Sequence, residues 1–552
     1  MPIIYRIHPA IGIARVGDSP DEYFVGPEAP GVPPSLNRPD APHDPNSGYK
    51  DDRGRIKRQG ARFRIYEYTL DDAGTTAQVR EITAADAQIE WEVHLANRKA
   101  AAPRFDGPGR RNEGVDESKL VIDAGSQKIS GAERGPKRLQ GRFMDVDVPL
   151  GDILTDSAGR LIVLGSFGKS QSPSDSLTNL GLHFANNDGW CDDVSDGPVR
   201  ATIRLNGSTE TIEAEPARVA VAPPDYAPQI ENVVTLYDVV YDMMANERFD
   251  PSLAITDDTK VSFTNDVYPI LRRASNMPWT SARSALGHSK PPEGELIPRG
   301  HFISRMQKKE NEGLFRNNTQ EHKRVRERIF GRLRVPEGYE GKIEDGCEAP
   351  QEDHEGLMPM VPTRDPNRKG LSLTKVQYQR MERWCQGKFE EDWTGAEPTP
   401  LPLDELPDME RPHALDRAAL EACVGGPFWP GIEVGQIMLD EATYDENRPF
   451  RISAELAPGE LTAKMAVPWQ ADFRACEFDP SFQSDWWPGQ RPGHVFRGPE
   501  QESVEWVPSS WPSFPDRPNM VDDWSQLGFV VKDEGTDRYV EDERSPTLDN
   551  GG

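Results

Sequence analysis

The sequence predicts an α+β protein, with a β-rich N-terminal half followed by a mixed, helix-containing C-terminal region. Three observations carry this. Period-two alternation and turn pairs concentrate before residue 225, and capping signatures with helical spacing rise only after about residue 230. Pro (50) and Gly (47) make up 97 of 552 residues, above the roughly 12% of average usage and below the roughly 25% of low-complexity chains, so a folded, loop-rich protein is expected.

The β signals come first. Ile89, Trp91, Val93 and Leu95 alternate with Glu90, Glu92 and His94, the pattern of a half-buried strand. Ile153-Leu154 and Leu161 to Leu164 around Asp156 to Arg160 predict a hairpin. Ala201 to Leu205 and Ser208 to Ala214 predict another around Asn206-Gly207, a pair suited to the positive φ of a type I′ turn. Helices follow. Thr235 with Asp238 forms a capping box before Leu236, Val239, Val240 and Met243. Thr374 with Gln377 forms a second before Tyr378, Met381 and Cys385, which share one helical face. A third helix is expected over Ala414 to Cys423, stopped by Gly425-Gly426. The chain divides into 1–225, β-rich; 226–370, helical with charged loops; 371–532, mixed; and 533–552, a polar tail for which disorder is expected.

The charge narrows function. A net charge of −28 opposes general binding to nucleic acid or anionic membranes, leaving small substrates open. No apolar run reaches the roughly 18 residues of a membrane span, and Arg6, His8, Pro9 and Arg15 interrupt Met1 to Gly17 where a signal peptide would be apolar. A cytoplasmic protein is expected, with export lacking a standard signal peptide left open. Five cysteines, no two closer than 38 residues, argue against a disulfide framework or a CxxC site. Between Arg305 and Arg334, ten Lys or Arg face four Asp or Glu, read as a solvated helix; Glu344 to Glu355 reverses the sign, as a surface loop. Cys347 and His354 lie in that acidic stretch without ordered ligand spacing, so no metal is assigned. Asp192, Asp193 and Asp196 form a DDxxD string. The flanking Asn186-Asn187-Asp188-Gly189 and Gly197-Pro198 are turn chemistry, so carboxylates capping loop amides are expected over a Mg²⁺ site, which stays open. GxGxxG, Walker, HExxH and GxSxG motifs are missing from the sequence.

Tryptophan is uneven: nine of 12 lie between Trp384 and Trp524. The stretch from Pro468 reads PWQADFRAC to Cys476, then DWWPGQRP from Asp485 to Pro492. This order closely resembles the lysine ε-oxidase and glycine oxidase family, whose cofactor is cysteine tryptophylquinone. So do Ile11 to Gly17 with Tyr23 to Glu28, Asn186 to Val199 (NNDGWCDDVSDGPV), and Cys423 to Glu433 (CVGGPFWPGIE). Four ordered blocks cover nearly the whole chain.

The resemblance implies that Cys476 is joined by a thioether to Trp486 or Trp487, one of which becomes an ortho-quinone, making 371–532 the cofactor-bearing catalytic region. It implies oxidative deamination of an amino acid or other primary amine, with O₂ as electron acceptor and an aldehyde or 2-oxo acid, ammonia and H₂O₂ as products. Asp472 is the candidate base and takes part in cofactor formation; its task requires a carboxylate whose pKa apolar neighbours such as Trp469 and Phe473 raise toward the working pH. Cys423 near the entrance, Cys191 and His494 complete the candidate vicinity. The family more often has Tyr where this chain has Cys191, so the substrate's surroundings are expected to differ here. A flavoprotein maturation partner and a homo-oligomer are also implied. The competing readings are a β-rich ligand-binding protein whose tryptophans stack on a sugar or aromatic ligand, and a quinone amine dehydrogenase using another acceptor.

Overall fold

A computed structural model describes residues 2–105, 107–173, 183, 185–282, 284–285, 302–339, 347–350, 357–359, 371–425, 434–471, 490–501, 503–507 and 519–548. The N-terminal region builds one 15-stranded sheet. Its main path runs Lys137–Phe143, Val146–Thr155, Leu161–Leu164, Arg58–Leu70, Ile11–Arg15, Ala217–Ala222, Ser195–Leu205, Ala87–Val93 and Gln127–Ser130. Neighbours on this path are antiparallel except Ala217–Ala222 with Ile11–Arg15. Close strand approach requires Gly12, where a Cβ would stand 2.4 Å from the Phe63 ring.

The predicted Ile89 alternation is the Ala87–Val93 strand, in which Ile89, Trp91 and Val93 are buried. The hairpin around Asp156 forms with Thr155 opposite Leu161, and Asp156 Oδ1 accepts from the Ala158 and Arg160 amides. The Asn206-Gly207 hairpin also forms, with Ile203 opposite Ile212, but not through a type I′ turn. Only Gly207 takes a positive φ, +82°, and the Leu205 carbonyl accepts from the Ser208 amide. The strands pair further from the turn than a two-residue loop would allow, so the turn needs one left-handed residue, not two.

Helices gather in the C-terminal half. Both predicted capping boxes form, at Leu236–Met244 with Thr235 and Asp238 and at Lys375–Gln386 with Thr374 and Gln377. The third helix is Arg411–Glu421, beginning earlier than expected because Pro412 suits a first turn, and ending before Cys423. It lies against the Ile11–Arg15 strand, and one hydrophobic core extends from Tyr5 to Val530.

Three expectations fail. Cys347 is not on a surface loop: it is buried and disulfide-bonded to Cys385, tying 347–350 to the Lys375–Gln386 helix. His354 lies outside the described residues. The basic stretch does contain the Gln320–Phe330 helix, yet Arg326 is fully buried, where it donates to the Gly313 and Arg316 carbonyls. The tail is ordered through residue 548 because Tyr539–Asp542 pairs with Phe529–Lys532 and Glu543 accepts from the Tyr49 and Lys50 amides.

Candidate active site

The run from Leu456 to Val467 forms no regular helix or strand, and a helical turn begins at Trp469. Its backbone is held from the sheet region instead. Arg218 donates to the Leu456 and Ala457 carbonyls at 2.8 and 2.6 Å, and Arg98 to Pro458 at 2.8 Å. Asp196 Oδ1 accepts from the amide and hydroxyl of Thr462, both at 2.8 Å, while its Oδ2 takes the Arg218 guanidinium. Asn187 donates to the Val467 carbonyl at 3.0 Å, and Val467 bridges Asn186. Asp192 Oδ2 accepts from the Trp469 amide at 2.9 Å. Ser170 donates to Gln470 at 2.6 Å, and Gln470 donates to the Gly168 carbonyl at 3.1 Å.

The DDxxD carboxylates therefore cap loop amides, as the turn chemistry predicted. Asp192 receives four side-chain or amide donors: Lys99 at 2.6 Å and Trp469 on Oδ2, Asn97 at 3.0 Å and Val194 at 3.3 Å on Oδ1. Lys99 and Asp192 are both fully buried, and burial is the main influence that lowers the Lys99 pKa against the pull of Asp192. Asp193 accepts from the Phe167 and Lys169 amides through Oδ2, at 2.9 and 3.0 Å. Burial, with the Asp192 charge adding to it, pushes the carboxyl up to about 7. Where the three carboxylates turn back, Gly197 has no room for a side chain: a Cβ would lie 1.7 Å from the His94 carbonyl oxygen. Among the described residues no group of three or more His, Cys, Asp or Glu could hold a metal ion.

Cys191 pairs with Gln171 beside this cluster and is buried; burial first, then the Asp192 and Asp193 charges, holds its thiol far above the ordinary range, so it stays protonated. Cys423 belongs to a different anchor. It follows the Arg411–Glu421 helix, is buried, donates through sulfur to the Ala419 carbonyl at 3.3 Å and has an Arg15 nitrogen 3.6 Å from the sulfur. Its carbonyl accepts from Leu236 at the start of the Leu236–Met244 helix. His494 is buried at the head of a short strand; burial pushes its pKa down to about 4, so the ring is neutral.

Asp472, Cys476, Trp486 and Trp487 lie outside the described residues. The described chain stops at Ala471, immediately before Asp472, and Trp469, Gln470 and Ala471 are all 1% exposed or less. Trp469 lies edge-on to Trp524 at 5.3 Å. Sequence reasoning singled out the Asn186 to Val199 block but missed Asn97, Lys99, Arg111, Thr462 and Gln470. None carries a local signal, because each acts on a partner far away in the chain.

The L-lysine epsilon oxidase N-terminal model matches residues 8–221, and the L-lysine epsilon oxidase C-terminal domain matches residues 356–492. L-lysine 6-oxidase of Marinomonas mediterranea is 27% identical over 565 residues, covering 85% of this chain and 70% of that protein. Crystal structures of the L-Lys epsilon-oxidase of the same organism, alone and as the Schiff base intermediate with L-Lys, share the α+β fold. Both have a TM-score of 0.72 at 23% identity, over 98% of this chain and 94% and 95% of theirs.

Proposed function

The chain belongs to the L-lysine epsilon oxidase family, and from that premise we propose that it oxidatively deaminates a primary amine of an amino acid with O₂. The products are an aldehyde or 2-oxo acid, ammonia and H₂O₂. The observation that carries the reading is that both domains of one family match in order, the second spanning Asp472, Cys476, Trp486 and Trp487. A cysteine tryptophylquinone made from Cys476 and Trp486 or Trp487 would supply the electrophile that ordinary side chains lack. The chain's own tasks are then to orient the amine, exclude water and move a proton. Asp472 takes the proton from the carbon bearing the amine. Cys191, as a protonated thiol, and Cys423, as a small buried side chain, shape the surroundings, and His494, neutral and buried, lines the site without charge.

Substrate identity rests on pocket shape, so L-lysine, on which the relative's name says it acts, is the first amine to test beside the other amino acids. A flavoprotein maturation partner and a homo-oligomer belong to the same proposal. No helix among the described residues is long and apolar enough to cross a membrane. The buried Cys347–Cys385 disulfide weighs toward an oxidising compartment over the cytoplasm, and thus toward export.

The test is protein co-produced with its genomic neighbours, weighed intact and assayed for peroxide with each amino acid. Two oxygens gained and four hydrogens lost, together with peroxide, are expected. An unshifted mass under these conditions overturns the reading. Turnover with an artificial acceptor but not with O₂ replaces oxidase by dehydrogenase.

A further inference from the structure

A cavity of about 820 Å³ lies between segments far apart in the chain. Pro27, Val32, Pro33 and Pro34 supply one apolar wall, and Pro228 and Tyr539 add to it. Glu421 ends the Arg411–Glu421 helix and Glu231 precedes the Leu236–Met244 helix; both line the cavity, together with Arg272 of the Tyr268–Asn276 helix. The turn of the C-terminal hairpin brings Lys532, Asp533, Glu534 and Asp537 to the same space.

Charge in this lining is unbalanced, with five carboxylates against the two cations Arg272 and Lys532. Arg273, Arg417, Asp238 and Glu397 pair with the lining groups from behind and leave seven carboxylates against four cations. Two of the carboxylates also keep acceptor capacity in reserve. Glu421 Oε1 accepts from Arg417 at 2.8 Å and Arg273 at 3.2 Å, while Glu231 Oε2 accepts from Arg273 at 3.2 Å and from Arg272. Among the described residues no donor reaches Glu421 Oε2 or Glu231 Oε1, although Glu421 is only 7% exposed. An ionised carboxylate takes about four donors, so each of these has room for more. Burial raises the Glu421 pKa over the pull of Arg417 and Arg273, and the Glu231 charge adds to the rise, so positive charge is short at this point. The missing partner is a cation with N–H donors. Among the described residues no group of three or more His, Cys, Asp or Glu could hold a metal ion, and the proline wall favours methylenes, so the cation is organic.

We propose that this cavity binds an aliphatic diamine or polyamine, with one ammonium donating to Glu231 and Glu421, its methylenes along the proline wall and a second ammonium at the acidic turn of the hairpin. A dication answers an excess of three carboxylates better than a single charge does. Binding here needs no quinone, so it holds whether or not the chain is an oxidase.

The probe is tetramethylputrescine, whose two protonated nitrogens keep one N–H each and cannot condense with a quinone carbonyl. Calorimetric titration of the co-produced protein at low ionic strength is expected to show one saturable site per chain. Glu421→Gln keeps the size and an oxygen for the arginines but removes the charge, and is expected to weaken binding by about tenfold or more. Val32→Lys puts a cation on the cavity wall without touching the ion pairs and is expected to weaken it as much; it decides if Glu421→Gln does not fold. Glu90→Gln removes a carboxylate whose partner is the exposed Lys128, and should leave the affinity within about twofold. No saturable binding to wild type, unchanged affinity in either folded cavity variant, or an equal loss in Glu90→Gln overturns the inference. Protein lacking the quinone mass shift should bind as well as shifted protein, whereas binding confined to shifted protein would put the probe at the quinone and overturn the inference while sparing the oxidase reading.

Discussion

The sheet region and the run from Leu456 to Ala471 both bury backbone, and they satisfy it by opposite means. In Ala87–Val93 and Ser195–Leu205 the polar backbone is paired strand to strand, from Val93 opposite Val199 to Ala87 opposite Leu205. In the 456–471 run, Arg98, Arg111, Asn187, Asp192, Asp196 and Arg218 supply the partners from outside. Ladder bonds survive changes of side chain, whereas each of these anchors is lost with one substitution. Losing it leaves a buried group unpaired, at about 1–3 kcal/mol and more where charge is involved. The chain that leads to the candidate chemistry is therefore the more brittle of the two, and the first 222 residues act as its mould.

The largest expected effect is from Lys99→Met, which strands the Asp192 charge at a fully buried position. Removing one member of a buried pair costs about 3–5 kcal/mol. Lys128→Met, which breaks the exposed Lys128–Glu90 pair between sheet strands, is expected to leave the stability nearly unchanged. Denaturant midpoints of the two variants measure the contrast, and equal losses would erase it.

A covalent tie is the third way this protein holds irregular chain. Cys385→Ser opens a loop between cysteines 38 apart in sequence, expected to cost about 2–4 kcal/mol. The drop should match that of reduced wild type in thermal unfolding, since both remove the same constraint.

Next comes pH. The Asp193 carboxyl is raised to about 7 in the folded protein, so the folded state holds that proton where the unfolded chain has released it. Stability from this group is present at low pH and is lost as pH rises toward 7, by about 2 kcal/mol between about pH 5 and 7. Asp193→Asn should abolish that slope. His494 has the opposite sign: its pKa falls to about 4, so the unfolded chain gains a proton first and stability is lost as pH falls below the ordinary histidine range. His494→Phe should flatten the acid side. Stability curves of the two variants against wild type separate these contributions, and parallel curves would contradict both.

The smallest effect tests a purely local device. Thr374→Ala removes the cap of the Lys375–Gln386 helix and is expected to cost about 1 kcal/mol. Its thermal shift should be well below that of Lys99→Met.

The features legible in the sequence are those whose cause lies within a few residues. Thr235 with Asp238, Thr374 with Gln377, and the turn at Asp156 to Arg160 each place donor and acceptor inside one turn, so spacing alone predicts them. Boundaries shifted where a distant partner intervened, as at the tail, where Glu543 caps the Tyr49 and Lys50 amides. Arg326 reads as a surface charge because nothing near it in sequence announces the carbonyls of Gly313 and Arg316. For the candidate site, the ordered motifs single out Asp472, Cys476 and the Trp486/Trp487 pair, while the residues that hold the approach to them are silent.

The sequence by itself determined the α+β class, the two capping boxes and the family, and it named the residues proposed for the chemistry, because patterning, caps and motif order are written along the chain. Tertiary structure alone decided which donors Asp192, Asp193 and Asp196 meet. A carboxylate's role depends on which donors reach it, and here they arrive from Lys99, Phe167 and Thr462, far off in sequence and brought within hydrogen-bond distance only by the folded sheet.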